Sequence, residues 1–216
     1  QGGGSFVGPA PYPGLVSVLT GPAFDAPLPL ITGLPTSNHD HGPNGMTFDH
    51  NGDLLLCSGG MTNAGVPAPL MGDLPESPLS GAILKAETSR ADFDGDIVYL
   101  DSEAPFAPND DQVFGESVDV APGSHVTVHA PGLRNAFDLV LATNGYLYAT
   151  DNGPNSGYGA GSTGPDTEAG DPAAPDELLL VERGRYYGHA TRSRGRSDPR
   201  QDVYRGLWGP SVRTVC

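Results

Sequence analysis

This sequence has no apolar run of roughly 18 residues or more, so it offers no transmembrane helix. Basic side chains are scarce: 11 Lys and Arg stand against 26 Asp and Glu, a formal charge of -15. Only three of the basic residues fall in residues 1–182, beside 24 acidic ones, whereas residues 183–216 carry eight basic and two acidic. The eight are Arg183, Arg185, Arg192, Arg194, Arg196, Arg200, Arg205 and Arg213. The acidic bulk repels phosphates and no aromatic-rich RNA motif accompanies the arginines, so a nucleic-acid partner is not expected. The arginines read instead as partners for the acidic remainder of the fold or for another chain. Two cysteines are too few for a disulfide framework. Cys57 sits in an apolar run and reads as a small buried hydrophobe. A bridge to the last residue, Cys216, or from Cys216 to another chain, stays open. No stretch sustains a 3.6-residue apolar period, so little helix is expected.

What is abundant is Gly and Pro, 31 and 22 residues, about a quarter of the chain. The apolar residues nonetheless come in strand-sized clusters bounded by turn residues, which points to an all-β protein with long loops rather than disorder. Phe48–Leu56 and Leu141–Ala149 each consist of an apolar run, an Asn-Gly pair and a second apolar run. Asn-Gly favours the two-residue type I′ hairpin turn. Residues 94–100, Asp-Gly-Asp followed by Ile97, Val98, Tyr99 and Leu100, repeat the pattern more weakly. The turn glycines Gly52, Gly95 and Gly145 lie at a spacing of about 40–50 residues, the period of β-propeller blades. Further strands are expected at 82–86, 125–130, 137–142 and 177–181, and long loops at 65–78 and 152–175. At this period the chain supplies about three to four blades. An open propeller leaves unpaired strand edges, so the remaining blades or a partner chain are expected to close the fold. The chain begins with Gln1 and shows no signal peptide, and it reads as a processed product or a fragment.

Three segments carry a family resemblance. The first runs from His39-Asp40-His41-Gly42-Pro43-Asn44-Gly45 through Asn51-Gly52 to Gly59-Gly60-Met61-Thr62-Asn63, followed by Pro78-Leu79-Ser80-Gly81. The second is Pro131-Gly132-Leu133-Arg134-Asn135-Ala136-Phe137, continuing to Asp151-Asn152-Gly153-Pro154-Asn155. The third is Pro175-Asp176-Glu177-Leu178, then Gly184-Arg185-Tyr186-Tyr187-Gly188-His189. In order and spacing they resemble the glucose/sorbosone dehydrogenase family of six-bladed β-propellers. On this basis residues 28–205 form a partial propeller, preceded by a Gly/Pro-rich segment (1–27) and followed by a truncated C-terminal segment (206–216).

The resemblance implies a quinoprotein, an extracytoplasmic or secreted dehydrogenase that uses pyrroloquinoline quinone (PQQ) with calcium. Such an enzyme oxidises a sugar hydroxyl or aldehyde by hydride transfer to the quinone. His41 matches the catalytic base, Arg134 and Asn135 the pair against the quinone, and Gly153 and Pro154 the carbonyls that hold calcium. The residue types suit these tasks. A neutral imidazole takes a hydroxyl proton, a guanidinium suits carboxylates and a reduced quinone, and calcium accepts backbone carbonyls. Plainer readings stand beside these. His41 is a polar residue entering a strand, or half of a His39-x-His41 metal pair. Arg134 and Asn135 cap loop carbonyls, Asp151-Asn152-Gly153 is a plain turn, and Asp176 and Glu177 anchor a loop. One departure stands out: the family's Gly-Asp after the His-bearing hairpin is here Gly59-Gly60. The family also includes extracellular members that keep the propeller without the chemistry, so a non-catalytic module for protein or glycan binding, or for structural assembly, is the alternative.

Overall fold

A computed structural model describes residues 13–37, 39–65, 69–71, 74, 76–101, 118–155 and 174–189. The arginines from Arg192 onward, Cys216, the segment 206–216 and most of the loop at 152–175 lie outside these residues. The described part is all-β, with several antiparallel sheets and a single 3-10 turn at Pro69–Met71. Strands β1 (Gly14–Thr20) and β2 (Ala26–Leu34) form a hairpin that begins inside the Gly/Pro-rich segment expected to precede the propeller.

At the centre is a four-stranded sheet in the order β3 (Pro43–Phe48), β4 (Leu54–Ser58), β5 (Ala82–Ala86), β8 (Val126–Pro131). Beside it lies a three-stranded sheet of β9 (Ala136–Leu141), β10 (Leu147–Asp151) and β11 (Glu177–Val181). Strands β6 (Tyr99–Asp101) and β7 (Val118–Val120) pair with each other.

Alternation along the strands creates the core. Successive side chains of a strand point to opposite faces, and β4 and β5 are apolar on both. Leu54, Leu56, Leu84 and Ala86 pack with Val16, Ile31 and Leu34 of the first hairpin. Leu55, Cys57 and Ile83 pack on the other side with Ala136, Leu139, Ala149 and Val181. The central sheet is thus sandwiched, and each fully buried Leu or Ile contributes about 1.5–3 kcal/mol.

Two expectations about turns need correction. At both Asn-Gly pairs only the glycine takes positive φ, 86° at Gly52 and 83° at Gly145. Gly52 N–H donates to Asp49 O and Asp49 N–H to Asp53 O. The second hairpin repeats this, with Gly145 N–H on Ala142 O and Ala142 N–H on Tyr146 O. These are type I turns closed by a glycine bulge rather than type I′ turns. The wider turn needs one left-handed residue instead of two, and the acceptors Asp49 Oδ1 and Asn144 Oδ1 take the loop N–H groups of Asn51 and Tyr146.

Gly95 is no hairpin turn at all. Residues 95–97 run alongside Thr32, with Thr32 N–H donating to Gly95 O and Ile97 N–H to Thr32 O. Glycine is required there because β2 passes so close that any Cβ would strike the Leu30 carbonyl. The segment at 94–100 lies in sequence between β5 and β8, which pair in the central sheet, and its Tyr99 and Leu100 enter the short β6–β7 pair, so Gly95 is not the turn of a hairpin like those at Gly52 and Gly145.

Candidate functional site

The antiparallel meander gathers distant residues at one end of the sheets. β3, β5, β9 and β11 begin at this end, and β4, β8 and β10 finish there. His41, Gly59-Gly60, Gly81, Arg134-Asn135, Asp151-Gly153 and Asp176 therefore meet. Backbone bonds stitch them together: Gly60 N–H donates to Arg134 O (2.6 Å), Gly59 N–H to Gly42 O (3.0 Å) and Asn152 N–H to Asn135 O (3.3 Å).

His41 is 2% exposed. Its Nδ1 lies 2.8 Å from Gly60 O. A carbonyl only accepts, so Nδ1 carries the proton and Nε2 is the acceptor nitrogen. Asp40 Oδ1 stands 3.4 Å from Nε2. Burial, and next the Arg134 charge, lower the imidazole pKa to about 4, so the ring is neutral at neutral pH.

The pH dependence follows from this shift. Between the folded value near 4 and the unfolded value near 6.5, the unfolded chain binds more protons, so stability rises with pH through that window. The His41 contribution is fully present above pH 6.5 and is lost as pH falls towards 4. Denaturant titrations from pH 7 to 4 will show a steeper loss in the parent than in His41→Asn, by up to ~1.4 kcal/mol per pH unit. Equal slopes would show that His41 is not held neutral by the fold.

Arg134, also buried, donates from Nε and Nη2 to Asn63 Oδ1 (3.1 and 2.6 Å), from Nε to Asn63 O (3.1 Å) and from Nη1 to Asn152 O (3.4 Å). It therefore does hold loop carbonyls. Asn135 Oδ1 accepts from Asn44 Nδ2 at 3.0 Å. The Asp151 carboxylate, at the end of β10, takes the backbone N–H groups of both Arg134 (3.0 Å) and Asn135 (2.8 Å) and fixes their turn. Asp176 Oδ1 accepts from Gly153 N–H at 3.1 Å, so it anchors the Gly153-Pro154 loop.

A cavity of about 240 Å³ opens at this end, lined among others by Asn63, Arg134, Gly153, Pro154, Tyr187 and His189. Arg134, Gly153 and Pro154 share its wall. His41 and Asn135 do not line it but stand behind it, one backbone link away.

Two residues escaped the sequence reading. Glu76 lies in the Pro-rich stretch at 65–78, yet it is 2% exposed and accepts four hydrogen bonds, from Met61 N–H, Thr62 N–H, Thr62 Oγ1 and Ser80 Oγ. Its Oε1 is 2.7 Å from His189 Nε2. Burial alone would raise its pKa, but His189 and the hydroxyl donors outweigh that and hold it at about 2. No local pattern marks Glu76, because its partners come from three other segments.

The pair also helps to account for the glycine at position 60. A Cβ on Gly60 would sit 2.8 Å from Arg134 O, 2.8 Å from His189 Nε2 and 3.0 Å from Glu76 Oε1. A Cβ on Gly59 would sit 2.6 Å from Asn135 Oδ1. Neither position has room for a side chain.

Among the described residues no group of three His, Cys, Asp or Glu is placed to hold a metal ion, and His39 Nδ1 is 2.8 Å from Asp40 Oδ1. Cys57 is a free thiol whose pKa burial pushes well up, with Asp138 and Asp151 adding to it. Compared with known proteins, the chain matches no family model and no curated protein.

Proposed function

We propose that this chain is part of an extracytoplasmic, PQQ- and calcium-dependent dehydrogenase acting on a sugar hydroxyl or aldehyde, built on a six-bladed β-propeller. The observation that carries this is convergence. Five residues spread from His41 to Pro154 come to one end of the sheets, and three of them share one cavity.

The donor set fits the two groups. Calcium favours oxygen ligands, and Gly153, Pro154 and Glu177 all line the cavity, the Pro154 carbonyl also accepting from Ala174 N–H. Arg134, on the same wall, supplies a buried positive charge that favours the carboxylates of the quinone, its Nε and Nη2 being engaged by Asn63. When bound, PQQ supplies the two-electron acceptor and calcium the Lewis acid beside it. His41, held by Gly60 O in the tautomer that leaves Nε2 as the acceptor, would serve as the base for a substrate that reaches past the cavity wall, which His41 does not itself line, and the Asp40 carboxylate would steady the imidazolium that forms. Asp151 keeps Arg134 and Asn135 in place through their backbone N–H groups. The outer face of β9 and β11, with Phe137 and Leu178 well exposed, would receive the next blade or a partner chain.

Calorimetry on the folded protein tests the reading. Saturable, calcium-dependent binding of PQQ is expected, weakened about 10- to 100-fold by Arg134→Ala, which removes a positive charge from the cavity wall. A folded protein that binds no PQQ overturns it. The glycine pair in place of the family's carboxylate would then favour a non-catalytic recognition module.

A further inference from the structure

In a chain of net charge -15, residues 13–37 hold a single charged side chain, Asp25. They contain the hairpin of β1 and β2, and residues 18–29 are exposed on both faces of it. Leu15, Val18, Leu19, Phe24 and Leu28 are its exposed apolar side chains. An uncharged, apolar arm of this kind marks an interaction surface.

The two edges of the hairpin differ. Leu19 lies opposite Pro27 and Ser17 opposite Pro29. Proline has no N–H to exchange, so these are the pairs without mutual hydrogen bonds, and the N–H and C=O of Ser17 and Leu19 point away from β2. Those of Leu15 do the same, because its partner Thr32 spends its own N–H and C=O on Gly95 and Ile97. Both register shifts place the extra residue in β2, at Leu30 and Gly33, so β1 keeps a regular alternation. Among the described residues nothing pairs with this open edge. Natural edges are protected by shortness, proline, charge or bulges. The seven residues of β1 contain no proline and no charge. The far edge of β2 is closed, by Pro27 and Pro29, which offer no donor there, and by the bonds of Thr32 to Gly95 and Ile97.

We propose that β1 pairs antiparallel with β1 of a second copy of this chain, across a two-fold axis at Ser17, so that the two hairpins form one sheet. The sequence of the open edge singles out this partner. Leu15-Val16-Ser17-Val18-Leu19 reads the same in both directions, which makes the strand complementary to itself when it is reversed. Ser17 then faces the second copy's Ser17, and Leu15 faces the second copy's Leu19, with the outward N–H and C=O groups of all three in hydrogen-bonded positions. Leu15 and Leu19, each about half exposed alone, become apolar cross-strand pairs. Two chains of this charge repel each other, and this hairpin is where they meet with least repulsion, the two Asp25 tips pointing to opposite ends. The axis also ends the assembly. After pairing only the closed edges of β2 remain, so growth stops at two copies. The pairing is independent of the quinone reading.

Sedimentation equilibrium of the full chain, from low to high micromolar concentration, tests this. The parent is expected to pass reversibly from monomer to dimer. Ser17→Pro removes a donor from the open edge and none from the β1–β2 ladder, and is expected to raise the dissociation constant about 10- to 100-fold, the size of two lost hydrogen bonds, one from each copy. Ser17→Asp and Ser17→Lys each set like charges directly opposite one another across the axis and are expected to stay monomeric. Mixed in equal amounts, these two charged variants are expected to dimerise again, as one copy of each. Circular dichroism spectra of the variants should match that of the parent. A parent that stays monomeric throughout overturns the pairing, and so does a dimer that every variant keeps. A mixture that stays monomeric overturns it as well, because Ser17 then does not face its own counterpart.

Discussion

Glu76→Gln will destabilise this protein by about 1–3 kcal/mol, the usual loss when a buried hydrogen-bonding group is left without its partner. Glu76 accepts four hydrogen bonds besides the His189 contact. A glutamine amide nitrogen accepts none, so at least one backbone N–H, of Met61 or Thr62, is left buried without its acceptor. The variant will also lose an acid limb. The folded carboxyl titrates at about 2, below its unfolded value near 4.5. The Glu76 contribution is therefore fully present above about pH 4.5 and drains away as pH falls towards 2. Urea unfolding at pH 7 and pH 3 measures both effects. The parent-to-variant difference should be large at pH 7 and smaller at pH 3. A difference under about 1 kcal/mol at pH 7 would show that Glu76 does not organise this end of the fold.

Placing an aspartate at position 60, where the resemblance leads one to expect it, will destabilise the protein rather than complete a site. Gly60→Ala isolates the steric part. Its Cβ meets the Arg134 carbonyl oxygen at 2.8 Å, and backbone cannot rotate aside as a side chain can. Overpacking of this kind costs about 1–3 kcal/mol. Gly60→Asp adds a second carboxylate beside that of Glu76, where two like charges in a low-dielectric setting oppose each other. Gly60→Asp is expected to lose several kcal/mol more than Gly60→Ala. Combining Gly60→Asp with Glu76→Ala should recover part of that loss, because only one carboxylate then occupies the space. Unfolding midpoints of Gly60→Asp, Glu76→Ala, the double variant and the parent form a double-mutant cycle. Strictly additive losses would show that the two positions do not compete.

Much of the strand layout was legible. The runs at 82–86 and 177–181 are strands with those limits, and the hairpins around Gly52 and Gly145 form where the Asn-Gly pairs stand. Alternation and turn residues are local signals, carried by the same few residues that form the element. The turn type was not legible. Asn-Gly is compatible with two hairpin geometries, and Asp49 and Asn144 decided between them by accepting loop N–H groups. Gly95 was misread for a related reason. A glycine needed for close passage of another strand looks, in sequence, like a glycine needed for a turn.

The site divides along the same line. Residue types alone marked His41, Arg134, Asn135, Gly153 and Pro154 and suggested tasks for them. They also suggested that Arg134 would hold loop carbonyls and Asp176 would anchor a loop, as both do. By itself the sequence determined an all-β chain with strongly acidic character and turn glycines at defined places. These follow from composition and short-range pattern. Only the tertiary structure decided that Glu76 is buried against His189, that Asp151 takes the backbone N–H groups of Arg134 and Asn135, and that Gly59-Gly60 has no room for a carboxylate. Each of these depends on groups far apart in the chain, His189 lying 113 residues from Glu76. Desolvation and hydrogen bonding act on what is near in space, and an antiparallel meander returns distant residues to the same end of a sheet.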